Sequence, residues 1–257
     1  MNILVCVKRV PATGGTIVLT ADQREIDTRY LGFTVSPHEE CAVEEAVRLI
    51  EAHGGSSTVL TLGPAAAEEQ LRDAMAVGID GAILLETDST DWDPIATAAA
   101  IVDAVRSAEV AGEPFDLLLF GNESADSGGY QVGIRVATAL GLPALTGVKG
   151  IDVRDGSVVA RREGTRGAVE EYEIALPALL AVREGINLPR YPSVPGRLRA
   201  RKKEIARSTP DRRPGGPEMV RLRVPQERET ETEILGTGPE AAPRVVELLQ
   251  QLGMVSR

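Results

Sequence analysis

A glycine-rich turn is the first place in this chain where residue types and spacing could do chemistry. Residues 121–133, Gly121-Asn-Glu-Ser-Ala-Asp-Ser-Gly-Gly-Tyr-Gln-Val-Gly133, join an apolar run at 117–120 to a segment with Val132, Val136 and Leu140 at helical spacing. A turn of this kind gathers backbone N–H groups without helical partners at the positive end of a helix dipole, and both features favour an anion. Gly128 and Gly129 allow close approach of a phosphate to the backbone, and Ser127 adds a hydroxyl. The same residues also read as an ordinary helix start, with Asp126 or Ser127 as N-cap and the glycines serving packing.

Groups suited to bond-making are scarce, and no catalytic residue is expected. The two histidines, His38 and His53, lack sequence neighbours that would make a metal site or a triad. Both read as surface residues; His53 ends a helix, where it meets the dipole favourably. Cys6 and Cys41 show no metal-ligand spacing. Cys6, inside an apolar run, reads as a core residue. The acidic pairs Glu39-Glu40 and Glu44-Glu45 read as a solvated helix face.

A different kind of chemistry is suggested at 176–193. The apolar run ends in Arg183-Glu184-Gly185, and Ile186 then stands as a bare aliphatic residue ahead of Asn187, Leu188, Pro189, Arg190 and Tyr191. Pro189, Pro192 and Pro195 restrict the backbone to extended or turn conformations. A stiffened loop with one apolar knob loses little entropy on entering a partner's pocket. It fits a docking element and a plain turn equally well. The basic stretch 197–203 reads as an interface or solvated segment.

The elements that must position these residues alternate. Runs at 3–7, 58–62, 82–85 and 117–120 read as buried parallel strands. Between them lie helices with clear punctuation: Ser36, Pro37 and Glu39 supply an N-cap, a first-turn proline and a capping-box acid, and Gly54 a stop. A second helix is expected at 65–77, ending at Gly78, and a third starts at Asp93-Pro94. After Gly150 the rhythm changes. Arg154-Asp155-Gly156 marks a hairpin between 151–153 and 157–160, and 172–182 reads as one long strand. From 206 to about 238 the chain is polar and aperiodic, which predicts an extended arm. A short amphipathic helix follows at 241–252, with Val245, Leu248, Leu249 and Leu252 on its apolar face. The expected fold is α/β, a doubly wound and mostly parallel sheet with added antiparallel strands, divided into a domain at 1–205 and an arm at 206–257.

Composition sets limits on function. Of 257 residues, 43% are hydrophobic and 26% charged, as in an ordinary globular protein with one sizeable core. A formal net charge of −10 argues against a nucleic-acid partner. No apolar run approaches membrane-spanning length, so a soluble, cytoplasmic protein without membrane insertion is expected. The sequence lacks a Gly-x-x-x-x-Gly-Lys-Ser/Thr loop. Ser127-Gly128-Gly129 lacks the Asp-Ser that follows this tripeptide in ATP pyrophosphatases.

The stretch from Leu176 through Pro189-Arg-Tyr191 to Lys203 resembles the β-subunit of electron transfer flavoproteins, the small subunit of a heterodimeric FAD carrier. So do the segment from Arg161 to Pro177, which departs at Thr165-Arg166, and the shorter pieces 3–10, Ser36-Pro37, 42–46 and 62–64. Together they cover most of residues 1–205. The resemblance implies a sheet arranged as in the adenine-nucleotide α-hydrolase group and an α-subunit that holds most of the FAD. It also implies transfer of electrons from dehydrogenases of the acyl-CoA type to a quinone reductase or another carrier. Ile186 takes the place of the docking anchor, with Asn187, Leu188, Pro189, Arg190 and Tyr191 completing the loop. AMP contacts fall on Cys6, Ser36, Pro37, His38, Glu39, Leu62, Gly121, Asn122, Glu123, Ser124, Ala125, Asp126, Ser127, Gly128, Gly129, Tyr130, Gln131 and Val132, with Cys6 and Leu62 acting through backbone. His38 stands where the family often has an aromatic residue near the flavin. The loop is richer in glycine than the family's Asp-x-x-x-Gln-Thr-Gly form, so AMP and a second FAD both remain open. A stand-alone adenine-nucleotide-binding enzyme or sensor would account for residues 1–150 equally well, but not for the Ile186 loop or the arm.

Overall fold

The computed structural model describes residues 1–12, 14, 17–88, 92–225 and 233–255. The chain forms two compact units, Met1–Arg221 and Leu222–Arg257. In the first unit, β1 (Asn2–Cys6) is followed by the short ribbon β2 (Val10–Pro11) and β3 (Phe33–Thr34), then by α1 (Pro37–His53) and β4 (Ser56–Gly63). Next come α2 (Glu68–Val77), entered through a 3₁₀ turn at Ala65–Ala67, β5 (Gly81–Glu86), α3 (Pro94–Val110), β6 (Leu117–Gly121) and α4 (Val132–Leu140). The antiparallel strands are β7 (Ala144–Arg154), β8 (Ser157–Glu163) and β9 (Val169–Ala175); β10 (Ala178–Val182), α5 (Val194–Ala200) and β11 (Ala206–Ser208) close the unit. The second unit contains α6 (Ala242–Gln251), whose Val245, Val246 and Leu248 are exposed. Residues 226–232, within the stretch expected to be an arm, lie outside the described residues.

One sheet organises the first unit, in the order β11-β5-β4-β1-β6-β10-β7-β8-β9. Pairing is parallel from β11 to β7 and antiparallel from β7 to β9. Alternation along β1 shows why both faces are covered. Ile3 and Val5 pack with Ala42, Ala46 and Leu71 of α1 and α2. Leu4 packs with Ile101, Val105 and Val136 of α3 and α4. A strand buried on both faces must be apolar where it is covered, as β1 is from Ile3 to Cys6 and β6 from Leu117 to Phe120. The fold is thus the expected doubly wound α/β sheet with added antiparallel strands. Among the described residues no helix is long and apolar enough to cross a membrane.

Helix starts follow local chemistry. Ser36 Oγ accepts from Glu39 N, and Glu39 Oε2 accepts from Ser36 N at 2.7 Å, a complete capping box ahead of Pro37. Asp93 Oδ1 accepts from Ile95 N and Ala96 N to start α3.

Three elements differ from the sequence expectation. The run 172–182 is two strands, not one: β9 at the sheet edge, and β10 inserted between β6 and β7. The break falls at Leu176–Pro177, a cis peptide, where proline has no N–H for a ladder. Burial explains the separation. All five residues of β10 are buried and need two covered faces, whereas β9 is mostly exposed and suits an edge. The proline-rich segment after Tyr191 also holds a helix, α5, because Ser193 caps it and Pro195 falls in its first turn, where no N–H is missed. Finally, β11 extends the parallel sheet past residue 205 by pairing with Ile83, Leu84 and Leu85.

Candidate functional site

The sheet winds to one side of β1 through α1, β4 and β5, then returns to β1's other side with β6. This is a switch point, and open α/β sheets bind ligands at the carboxyl ends of strands there. Cys6 pairs with Leu60 on one side and Phe120 on the other, so Cys6, Leu62 and Gly121 all lie at that end. Leu62 packs into the core and Cys6 is buried. Burial pushes the Cys6 thiol up, and the nearby Glu39 charge adds to the rise. A neutral thiol facing the core leaves only its backbone for a ligand.

The first turn of α1 fits directly against the end of β6. A Cβ on Gly121 would lie 2.5 Å from Glu39 Cγ and 3.0 Å from Glu39 N, so only glycine permits this approach. Glu39 is buried, with Oε1 accepting from Lys8 N and Oε2 from Ser36 N, both at 2.7 Å. Burial pushes its carboxyl up to about 7, although the donors from Ser36 and Lys8 pull the other way.

Residues 121–131 form a loop tied down at its start. Asn122 N donates to Val182 O, and Asn122 Oδ1 accepts from Gly147 N, both at 2.8 Å. Ser36 Oγ donates to Glu123 O at 2.9 Å. Lys8 Nζ donates to Asp126 Oδ2 at 2.6 Å, and Asp126 Oδ1 accepts from Ser127 N. Partial burial pushes the Asp126 carboxyl up, but Lys8 and the hydrogen bonds outweigh it and hold the group below its ordinary value. Ser124 and Ser127 meet through their hydroxyls at 3.1 Å, while Ala125 points to solvent.

Beyond Ser127 the loop changes character. Gly128 (φ +52°) and Tyr130 (φ +54°) enter the left-handed region, a geometry that turns neighbouring N–H groups to one side. Gly129 has nothing within 4 Å of where a Cβ would stand. Among the described residues, the backbone N–H groups of Gly129, Tyr130, Gln131, Val132, Gly133 and Ile134 find no acceptor within the chain. The helix begins at Val132, with Gln131 at the N-cap position and its side chain engaged by Arg135. The reading of Asp126 or Ser127 as N-cap is therefore corrected: both lie a turn of loop earlier, occupied by Lys8 and Ser124. What remains is a row of unused donors at the positive end of α4, a set that fits a phosphate or another anion.

The segment after β10 fastens onto α1. Asn187 Nδ2 donates to Cys41 O at 3.0 Å and to Glu45 Oε2 at 2.8 Å. Arg190 binds Glu44 and Glu51. Glu39, Glu44 and Glu45 are buried, which corrects the reading of these acids as a solvated face; the segment at 184–190 and the loop ends cover them. His38 is buried too, with Nε2 3.1 Å from Glu123 Oε1 and Nδ1 accepting from Glu184 N at 2.9 Å. Ile186 is not bare but half-buried, packed against the core on the α1 side. Leu188 and Tyr191 are the bare side chains, 90% and 95% exposed, with Pro189 half-buried between them. Lys8 was missed in the sequence. Its only signal is a cation just past the first strand, since its partner Asp126 is 118 residues away.

Fold and site together define a doubly wound α/β protein with a glycine-rich loop of unused backbone donors at its switch point. The electron transfer flavoprotein domain profile matches residues 25–212. The chain is 35% identical over 207 residues to an electron transfer flavoprotein subunit beta of Bacillus subtilis, covering 80% of this chain and 77% of that protein. It is 38% identical over 210 residues to one of Mycobacterium leprae, with 79% and 77% covered, and 31% identical over 209 residues to one of Megasphaera elsdenii, with 80% and 77% covered. This chain belongs to the electron transfer flavoprotein β-subunit family.

Proposed function

We propose that the chain works as the β-subunit of a heterodimeric electron transfer flavoprotein in the cytoplasm, paired with an α-subunit that holds most of a FAD. The bound FAD would supply the redox chemistry. The residues of this chain hold and orient, and none makes or breaks bonds. The glycine-rich loop holds AMP or a second FAD: the phosphate lies on the unused N–H groups from Gly129 to Ile134, while backbone at Cys6 and Leu62 borders the adenine. Ser36, Pro37, His38 and Glu39 close the site from α1. Residues 186–191 dock on flavin dehydrogenases of the acyl-CoA type, and electrons leave toward a quinone reductase or another carrier. Residues 206–257 contribute the arm that contacts the α-subunit. The observation that supports this reading most directly is the row of unused donors at the switch point of a chain belonging to this family.

The test is the cofactor content of this chain co-expressed with its α-subunit, by absorbance and mass spectrometry of released nucleotides. One FAD and one AMP per heterodimer is the expected result. Two FAD would assign the loop to a second flavin and thus to redox work. A stable monomer that binds and hydrolyses ATP without flavin would overturn the reading in favour of a stand-alone nucleotide-binding enzyme.

A further inference from the structure

His38 bonds to both the glycine-rich loop and the segment after β10, beyond the Asn122–Val182 bond where the two begin. Its Nε2 lies 3.1 Å from Glu123 Oε1 in the glycine-rich loop, and its Nδ1 accepts from Glu184 N at 2.9 Å in the segment after β10. The residue is 8% exposed, so water is a poor substitute for either partner. Chemistry sets the direction of this relay. An amide N–H can only donate, so Nδ1 carries no proton; the ring proton is on Nε2 and faces a carboxylate that can only accept. Bonds in such a chain strengthen one another, because the carboxylate at Nε2–H sends electron density through the ring and makes Nδ1 a better acceptor. Glu123 can respond without unravelling the loop. Its carbonyl is held by Ser36 Oγ, while its carboxylate faces His38 and the Tyr130 hydroxyl of the same loop, so the side chain can shift with the main chain fixed.

We infer that His38 is a positioning residue that couples the two segments, so that the state of the Glu123 carboxylate sets how firmly residues 184–186 are held. An anion arriving at the loop repels that carboxylate, the His38–Glu184 bond weakens, and the segment loosens where it leaves β10. Asn187 and Arg190 keep their own bonds to α1, which confines the change to 184–186. Linkage makes the effect reciprocal: a partner that orders 184–186 changes the affinity of the loop for its anion. The consequence for docking and for nucleotide rests on the function proposed above; the coupling of Glu123 to Glu184 does not.

Amide hydrogen exchange on the full chain tests it. Glu123→Gln keeps an acceptor but removes the charge, and should speed exchange at 184–186 by about three- to tenfold. His38→Asn places an oxygen near the Nδ1 position without reaching Glu123. It should keep the Glu184 amide protected and abolish the response to Glu123→Gln. His38→Phe, which makes neither bond, should raise exchange at 184–186 and be equally insensitive to Glu123→Gln. An unchanged rate in Glu123→Gln, or the same acceleration in the His38→Phe background, overturns the coupling. With AMP as probe, binding should raise exchange at 184–186 in the parent chain and not in His38→Asn. AMP that binds without that difference overturns the transmission from ligand to segment. AMP that fails to bind counts against the nucleotide reading, and the Glu123→Gln comparison still decides the coupling.

Discussion

Arg190 closes around Glu44 across 146 residues of chain: its backbone N–H, Nε and Nη2 all donate to the one carboxylate, at 2.9 to 3.2 Å. Nη1 and Nη2 also reach Glu51, at 2.7 and 3.0 Å. Glu44 is buried, and a buried carboxylate is stable only when its lone pairs are met. The pairing at Glu51 and Glu44 in turn holds the guanidinium above its ordinary value. The clasp therefore fixes the segment after β10 onto α1, the helix whose first turn borders the glycine-rich loop.

Arg190→Lys should break that clasp, because an ammonium cannot form the forked contact. Losing one partner of a fully buried pair costs about 3–5 kcal/mol. The Arg190 side chain is 37% exposed, so a loss of about 2 kcal/mol is expected. Urea unfolding measures it, and an unchanged midpoint would show that Asn187 and His38 hold the segment without it.

Ile186 and Leu188 should separate stability from docking. Ile186→Ala removes a half-buried contact with the core and should cost about 1–2 kcal/mol. Leu188→Ala changes an exposed side chain, so stability should stay within about 0.5 kcal/mol. If Leu188 is a docking contact, electron transfer from an acyl-CoA dehydrogenase to the heterodimer should slow by about tenfold. Stopped-flow kinetics with a reduced dehydrogenase would show this, and parent-like rates in both variants would remove the docking role of the loop.

Two glycines should fail for different reasons. Gly121→Ala would press a methyl against Glu39 and should cost about 1–3 kcal/mol in thermal or urea unfolding. Gly128→Val forces a β-branched residue to φ +52° and crowds the unused donors, for a strain of about 1–2 kcal/mol. Nucleotide released from the purified heterodimer should fall in Gly128→Val; equal content would refute the phosphate assignment.

Glu39 predicts a pH dependence with a definite sign. Its carboxyl is raised from an ordinary 4.5 to about 7 by burial. Between those values the folded chain holds a proton there that the unfolded chain has released. Its contribution to stability is therefore full at acid pH and lost as pH rises through about 7, by on the order of 3 kcal/mol in all. Denaturation of the parent and of Glu39→Gln from pH 5 to 8 isolates the group. The parent should lose stability relative to the variant across that range, and parallel curves would show that Glu39 does not titrate there.

The strands at 3–7, 58–62 and 117–120, the capping box at Ser36 and Glu39 and the hairpin at Arg154-Asp155-Gly156 were all legible in the sequence. Each is written in contiguous residues: an apolar run, a cap three residues from its partner, a turn that needs a left-handed glycine. The glycine-rich loop ahead of α4 was legible in the same way, because its glycines and following helix are local. Family membership was also readable, from short motifs spread over most of residues 1–205. Tertiary structure alone decided where β10 goes, since an all-apolar strand reads the same in any interior slot. It also decided that Glu44 and Glu45 are buried and that Ile186 turns inward while Leu188 faces solvent. His38 is the clearest case: an ordinary helix residue in sequence becomes a bridge because Glu123 and Glu184 arrive from 85 and 146 residues away. Periodicity and capping are properties of neighbours along the chain. Burial and pairing of a charge depend on what the fold brings against it, and no local pattern encodes that.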